Sequence, residues 1–191
     1  PVFITERYSL EYHLRSFEKM SAALSGYVNS CVVSFIDLYE KTRRNFPQAK
    51  AVSPDEQKRL IQAFAEIGRK HRISIRTCCE RADLAQYGAD VSGCMTRAVL
   101  EKALDCRLNV PKSKKSPRAE CECLLGADIG MYNTCPHGCV YCYANYDRRT
   151  VEQNFQQHDP HSPLLIGHLR EGDKIIEARQ ESYVSAQLSM F

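Results

Sequence analysis

The sequence predicts an α/β fold in which helices alternate with short apolar strands along the first half of the chain. Residues 31–39 form a nearly continuous apolar run rich in β-branched and aromatic side chains, which is typical of a strand in a parallel sheet, and residues 73–79 are predicted to form another short strand. A segment with the apolar spacing of a helix precedes each of the two predicted strands. Because helix–strand–helix–strand order is typical of βα units, we expect part of a TIM-barrel-like parallel sheet.

Capping residues mark the two longest predicted helices. Ser9 is a plausible N-cap for a helix that runs to about Leu24. Ser53 and Glu56 form a capping box that opens a second helix, which we expect to end near His71. Both helices carry apolar residues on one side, so each has a face to bury against a sheet.

Three regions are expected within one domain. Residues 1–110 hold the βα units and a further helix near Met95 to Asp105, 111–119 form a basic connecting loop, and 120–191 form a cysteine-rich C-terminal region. The basic loop is interpreted as a solvated connector or, alternatively, as a phosphate contact. A final helix is expected over 173–186.

Composition limits the classes of protein that the chain can be. No apolar run of about 18 residues is present, so a membrane-spanning segment is not expected. The net charge of +3 is too small to indicate nucleic-acid binding by itself. Seven of the ten cysteines fall between Cys94 and Cys142, which indicates metal-bound thiolates in a reducing, cytoplasmic compartment. The start at Pro1 leads us to expect a missing N-terminal portion.

The segment from Tyr132 to Ala144 carries the strongest chemical signal. Cys135, Cys139 and Cys142 lie four and then three residues apart, so a short loop can bring three thiolates to one face of a cubic 4Fe–4S cluster. Three ligands for four irons leave one iron open to an outside ligand. A zinc site that adds His137 is the alternative, although zinc sites more often pair two distant C-x2-C elements.

Four further cysteines form a candidate second metal site, an auxiliary cluster or a structural zinc. They are Cys79, Cys94, Cys121 and Cys123. The alternative is that some of them are simply buried thiols. The sequence context assigns the remaining three, Cys31, Cys78 and Cys106, to the core.

The order of motifs along nearly the whole chain resembles the bacterial and archaeal family called domain of unknown function 1848. The resemblance is carried by Asp37-Leu38-Tyr39, Lys41-Thr42, Cys79-Glu80, Gly93-Cys94, Cys121-x-Cys123, Asp128-Ile129-Gly130, the segment 132–145, and Ser162-Pro163-Leu164-Leu165-Ile166-Gly167. That family has no assigned reaction. The resemblance also implies that roughly the first third of a full-length member is absent.

The cysteine loop itself resembles that of radical S-adenosylmethionine (radical SAM) proteins, in particular the spore photoproduct lyase-like branch. The resemblance implies SAM on the open iron, with Tyr141 near its adenine, and an electron donor such as flavodoxin or ferredoxin. It also implies damaged DNA as a possible substrate. Superfamily members usually carry this loop after their first strand, whereas here the βα units precede it. A circular permutation, with the segment around Ile129 closing the sheet, would reconcile the two orders.

The last five residues resemble the pentapeptide by which bacterial polymerases and repair proteins dock on the sliding clamp. Gln187 would fix the register, and Leu188 and Phe191 would enter a hydrophobic cleft. A tail that folds back onto its own core is the alternative reading.

Three functions therefore remain open. The first is a radical SAM enzyme with a 4Fe–4S cluster on Cys135, Cys139 and Cys142, acting on an unknown and possibly DNA-linked substrate. The second is a non-enzymatic zinc or iron–sulfur module that is tethered to a partner such as the clamp. The third is an electron-transfer or sensing protein, which needs a fourth protein ligand at the cluster.

Overall fold

A computed structural model describes residues 1–111, 121, 123–124, 130–177 and 182–185. The chain forms two compact units. The first unit comprises Pro1–Leu38, Gln48–Gly126 and Tyr183–Phe191, and the second comprises Tyr39–Pro47 and Ala127–Ser182.

The described residues form five α-helices, two strands and a 3-10 helix. In chain order these are α1 Leu10–Leu24, β1 Ser30–Val33, α2 Glu40–Asn45, α3 Pro54–Lys70, β2 Ser74–Thr77, the 3-10 helix Ala82–Tyr87, α4 Arg97–Leu104 and α5 Arg148–Gln156. None of the helices in this part of the chain is long and apolar enough to cross a membrane.

The two strands of the first unit pair in parallel, so the expectation of a mixed α/β fold with a parallel sheet is confirmed. Their register runs from Ser30 opposite Ser74 to Val33 opposite Thr77. Within the described ranges this sheet has two strands, and no barrel is formed. Both strands are shorter than predicted, and Val32 is 49% exposed, so the expectation that β1 is buried on both faces is wrong.

The first strand ends early because its continuation bonds to other partners. The amide of Phe35 donates to the Glu80 carboxylate at 2.7 Å, and Val2 forms an isolated parallel bridge with Phe35. The Glu80 carboxyl has a raised pKa, chiefly because it is half-buried, although the bond from Phe35 acts in the opposite direction. Glu80 thereby ties the end of β1 to the residues that follow β2.

Helix α3 forms the centre of the first unit's core. Leu60 and Ile61 are at most 1% exposed, and the rings of Phe17 in α1 and Phe64 in α3 lie 4.4 Å apart. A Cβ on Gly68 would lie 2.3 Å from the carbonyl oxygen of Ile73, so only glycine lets the chain return this closely toward β2.

The predicted helix starts of α1 and α3 agree with the structure. The Ser9 hydroxyl accepts from the Tyr12 amide, and both halves of the Ser53–Glu56 capping box are present. The expected final helix over 173–186 is not found where the structure describes it, since 173–177 and 182–185 are irregular apart from an isolated bridge at Val184.

Candidate metal centres

The cysteine loop of the second unit is closed at its base by Asn133. The Asn133 amide donates to the Ala144 carbonyl at 3.0 Å, and its side-chain oxygen accepts from the Tyr146 amide at 2.6 Å. The Asn133 carbonyl accepts from the Asn154 side chain in α5 at 2.9 Å. Asn133 adopts φ 58°, a left-handed conformation that asparagine tolerates better than most residues. These bonds hold both ends of the loop together and fasten them to α5.

Inside the loop, short-range bonds turn the chain so that the three thiols face a common space. The Cys142 amide donates to the Cys139 carbonyl at 3.0 Å, and the Asn145 side chain donates to the Cys135 carbonyl at 2.6 Å. Gly138 has φ 66°, a backbone conformation that favours glycine. A Cβ at this position would meet no other atom within 4 Å, so the backbone conformation, and not a steric clash, is the reason for glycine here. Cys135 and Cys139 are exposed and Cys142 is half-buried.

All three loop cysteines line one cavity of about 630 Å³. Lys41 from α2 and Asn145 also line it. Among the described residues, neither the Lys41 Nζ atom nor the Asn145 Oδ1 atom has a hydrogen-bond partner, although both are buried. Lys41 Nζ lies 4.9 Å from the centre of the Tyr146 ring, a cation–π contact. Buried polar atoms without partners are costly, so a ligand with complementary groups would stabilise this site.

The three thiols of the loop could hold a metal ion or an iron–sulfur centre. Within the part of the chain that the structure describes, Cys135, Cys139 and Cys142 do not form a group whose sulfur atoms all lie within 4.8 Å of one another. A single ion draws its ligands together, whereas a cubic cluster binds each thiolate at a different iron. His137 Nδ1 lies 3.7 Å from Cys135 Sγ and could supply a fourth ligand to a zinc ion.

Tyr141, expected near the adenine of SAM, is 38% exposed and is not among the described residues that line the cavity. That expectation remains a prediction.

A second group of thiols lies in the first unit. The sulfur atoms of Cys78, Cys94 and Cys123 all lie within 4.8 Å of one another, the one such group found among the described residues. Cys94 Sγ is 3.2 Å from Cys78 Sγ and 3.4 Å from Cys123 Sγ. Cys123 is buried, and Cys78 and Cys94 are half-buried. This group is compatible with metal binding, as a cysteine-rich sequence predicts.

Arg76 of β2 positions the Cys94 segment beside Cys78. It pairs with Asp90 at 2.8 Å and donates to the Gly93 carbonyl at 3.0 and 3.2 Å. Asp90 forms a parallel bridge with Arg76, so residues 90–94 run beside the end of β2. Gly93 has φ 108°, which turns the chain immediately before Cys94.

The segment that carries Cys123 is joined to the residue after Cys94. The Met95 amide donates to Cys123 Sγ at 3.2 Å, and the Leu124 amide donates to the Met95 carbonyl at 2.8 Å. Burial raises the pKa of the Cys123 thiol, and burial together with the neighbouring Cys94 thiol raises the pKa of Cys78.

Cys78 is the site residue that the sequence reasoning missed. It was assigned to the core because it continues the apolar run of β2, yet β2 ends at Thr77 and Cys78 is half-buried. The expected residues Cys94 and Cys123 are in the group. The expected Cys79 and Cys121 lie outside this group, although they are close to Cys78 and Cys123 in sequence.

Several expectations fall on residues outside the described part of the chain. They concern the basic loop 111–119 beyond its first residue, the Ile129 segment, and the tail residues Gln187, Leu188 and Phe191.

Fold and site together define an α/β protein with two cysteine groups that suit metal binding. Residues 1–144 match the family described as "Domain of unknown function (DUF1848)", and the chain belongs to this family. The match extends through the cysteine loop to Ala144 and contains both thiol groups. No curated protein and no solved structure matches the chain.

Proposed function

We propose that the protein is an iron–sulfur enzyme of the radical SAM type. Cys135, Cys139 and Cys142 bind a 4Fe–4S cluster through three of its irons, and SAM binds at the fourth. The observation that carries the proposal is the cavity of about 630 Å³, which is lined by all three cysteines and by Lys41, a half-buried residue whose Nζ atom is buried. A cluster with an open iron needs such a space, whereas a fully ligated structural centre does not.

The residues around the cavity have distinct roles in this proposal. When bound, the cluster supplies the electron for reductive cleavage of SAM. The Lys41 ammonium binds the carboxylate of the SAM methionine moiety, because a buried cation without a hydrogen-bond partner in the described chain favours an anionic ligand. The Asn145 Oδ1 atom accepts a hydrogen bond from the ligand, while its Nδ2 atom holds the Cys135 carbonyl.

The substrate class is assigned only through sequence resemblance. The spore photoproduct lyase-like loop and the clamp-like tail at Gln187, Leu188 and Phe191 both favour a DNA-linked reaction. An electron donor such as flavodoxin or ferredoxin would reduce the cluster. In the same proposal, the two-stranded parallel sheet belongs to a circularly permuted TIM-barrel-like sheet.

Anaerobic reconstitution with iron and sulfide tests the proposal. We expect about four irons per loop and, after dithionite and SAM are added, formation of 5′-deoxyadenosine. The variant Cys139→Ala should lose both the loop iron and SAM cleavage, whereas Cys106→Ala, a half-buried cysteine outside both groups, should retain them. A protein that binds the cluster but never cleaves SAM would refute the enzymatic proposal.

A non-enzymatic zinc module is the second candidate function. The observation that favours it is His137 Nδ1, which lies 3.7 Å from Cys135 Sγ and could complete a four-coordinate site. The variant His137→Ala separates the two candidates, because it removes a zinc ligand but none of the three cluster ligands. Zinc lost from the loop in this variant favours the module, whereas unchanged iron content and SAM cleavage favour the enzyme.

A further inference from the structure

We propose that Cys78, Cys94 and Cys123 bind a single structural zinc ion in the first unit, separate from the loop cluster. A fourth thiolate, from Cys79 or Cys121, is drawn toward these three when the ion binds and completes its tetrahedral coordination. The site does not depend on the proposed function, because it shares no residue with the cavity of the cysteine loop.

The spacing of the sulfur atoms fits one ion. A tetrahedral zinc ion with Zn–S bonds of about 2.3 Å holds its thiolates about 3.8 Å apart. The sulfur of Cys94 is 3.2 Å from Cys78 Sγ and 3.4 Å from Cys123 Sγ, close to that value. A 4Fe–4S cluster would require wider spacing because each of its thiolates binds a different iron.

A disulfide explains the group less well than an ion does. The S–S bond of a disulfide is about 2.0 Å long, well below both observed separations, and it joins two sulfur atoms rather than three. Cys94 lies within 3.5 Å of two other thiols, so one disulfide would leave the third beside it. A divalent cation accommodates all three as thiolates, and their protons are released when it binds.

Hydrogen bonds from neighbouring residues orient the cysteines of this group, as is typical of metal sites. The Met95 amide donates to Cys123 Sγ at 3.2 Å, a bond that stabilises a thiolate ligand and fixes its direction. The Arg76 side chain holds the Gly93 carbonyl next to Cys94. Both interactions orient the ligand residues through neighbours that are not ligands.

The ligands come from three separate segments, so the ion acts as a cross-link. Cys78 follows β2, Cys94 follows the strand-like segment at Asp90, and Cys123 lies about 30 residues further along the chain. Two hydrogen bonds with Met95 also join the segment at residues 123–124 to this region. Zinc therefore stabilises the packing of this segment on the edge of β2.

The test measures metal bound to protein whose cysteine loop is disabled. In the variant Cys135→Ala/Cys139→Ala/Cys142→Ala, we expect about one zinc ion per chain by elemental analysis. Replacement by Co²⁺ should give the visible absorption of a tetrahedral thiolate site. Adding Cys94→Ser to this variant should abolish both signals, whereas adding Cys106→Ser should leave both unchanged. The pair Cys79→Ser and Cys121→Ser identifies the fourth ligand.

A measurement on the unmodified protein guards against variants that fail to fold. Native protein is treated with a thiol-alkylating reagent, with and without a strong zinc chelator, and the modified cysteines are identified by mass spectrometry. We expect the chelator to raise the alkylation rate of Cys78, Cys94 and Cys123 about tenfold and to leave Cys106 unaffected. Equal rates, a Cys78–Cys94 disulfide in anaerobically purified protein, or no zinc in the loop variant would each overturn the proposal.

The result for the proposed zinc site is independent of the result for the proposed cluster in the cysteine loop. Iron and 5′-deoxyadenosine report on Cys135, Cys139 and Cys142, whereas zinc in their absence reports on Cys78, Cys94 and Cys123. A protein can therefore satisfy either proposal, both or neither, and each result is read separately.

Discussion

Lys41 carries a positive charge that is buried beside the cysteine loop. Its neighbours in the second unit give it one aromatic contact, with Tyr146, which in turn stacks on Tyr132 with 5.5 Å between ring centres. Burying an ammonium without hydrogen bonds costs free energy, so a structure keeps such a group where a ligand completes it. Lys41 is thus the residue at which binding of an anionic group to the cavity can best be tested.

Replacing Lys41 with methionine should weaken SAM binding to the reconstituted protein by about 10- to 100-fold, the value of one hydrogen bond to a charged group. Isothermal titration under anaerobic conditions measures the change. Arg44→Met, which removes an exposed charge from the same helix, is the matched control and should leave the affinity nearly unchanged. Equal affinities for wild type and Lys41→Met would contradict this role.

Asn133 closes the base of the cysteine loop. Its main chain and side chain make three bonds, to Ala144, Tyr146 and Asn154. Its positive φ adds a backbone requirement that few residues meet at low cost. Alanine would lose the side-chain acceptor and strain the backbone at the same time.

We therefore expect Asn133→Ala to lower the iron affinity of the loop by about tenfold, as loss of a residue that orients metal ligands typically does. Asn133→Asp keeps an acceptor for the Tyr146 amide and should retain most of the iron. Iron per chain is measured after reconstitution at limiting iron concentration. If both variants bind iron like the wild type, the loop does not need Asn133 to hold its shape.

At the scale of secondary-structure elements, the start of α3 depends on a carboxylate as well as on a hydroxyl. Glu56 accepts from the Ser53 amide at 2.8 Å and from the Ser53 hydroxyl at 2.7 Å, and these bonds lower the pKa of the Glu56 carboxyl below its usual range. A depressed folded-state pKa means that this stabilisation is present above the unfolded value of about 4.3. It is lost as the pH falls through the lower folded value.

Ser53→Ala should lower the free energy of unfolding by about 1 kcal/mol at pH 7, because the helix loses its N-cap. The difference from wild type should begin to shrink as the pH falls below the unfolded value of about 4.3, and it should be smallest below the lowered pKa of Glu56 in the folded wild type. Urea unfolding of both proteins at a series of pH values measures this difference in the free energy of unfolding. Gln62→Ala, at an exposed position of the same helix, should change stability by less than about 0.5 kcal/mol. A difference that does not depend on pH would show that the carboxylate contributes nothing.

The elements that sequence predicts well are those with local signals. Helices α1 and α3 were predicted because a cap and an apolar stripe both lie within one segment. Helix α5 was missed, although Asp147, which caps the amides of Arg149 and Thr150, offered a start signal. The strands were predicted too long because their ends are set by partners elsewhere, such as Glu80 for Phe35.

The same distinction applies to the two cysteine groups. The loop cysteines lie within eight residues of one another, so their spacing alone predicts a common site. The thiols of Cys78, Cys94 and Cys123 meet only after residues 90–94 have aligned with β2. Sequence reasoning found two of these three, and it assigned Cys78 to the core because Cys78 follows the apolar residues of β2.

At the scale of the whole molecule, the hydrophobic core and the cysteine loop use different residues. All members of the buried core cluster, including Phe17, Leu60 and Phe64, belong to the first unit. The loop cysteines belong to the second unit and are exposed or half-buried. Stability of the core should therefore be separable from occupancy of the loop.

Two variants test this separation. Phe64 is 3% exposed, so Phe64→Ala leaves a cavity beside Phe17 and should lower the free energy of unfolding by about 3–5 kcal/mol. The variant Cys135→Ala/Cys139→Ala/Cys142→Ala removes no buried apolar side chain and should unfold at the same urea concentration as apo wild type. Far-UV circular dichroism follows both, because α1 and α3, with 15 and 17 residues, dominate its helical signal. A large loss of stability in the cysteine variant would contradict this separation, because it would show that the loop thiols contribute to the stability of the core.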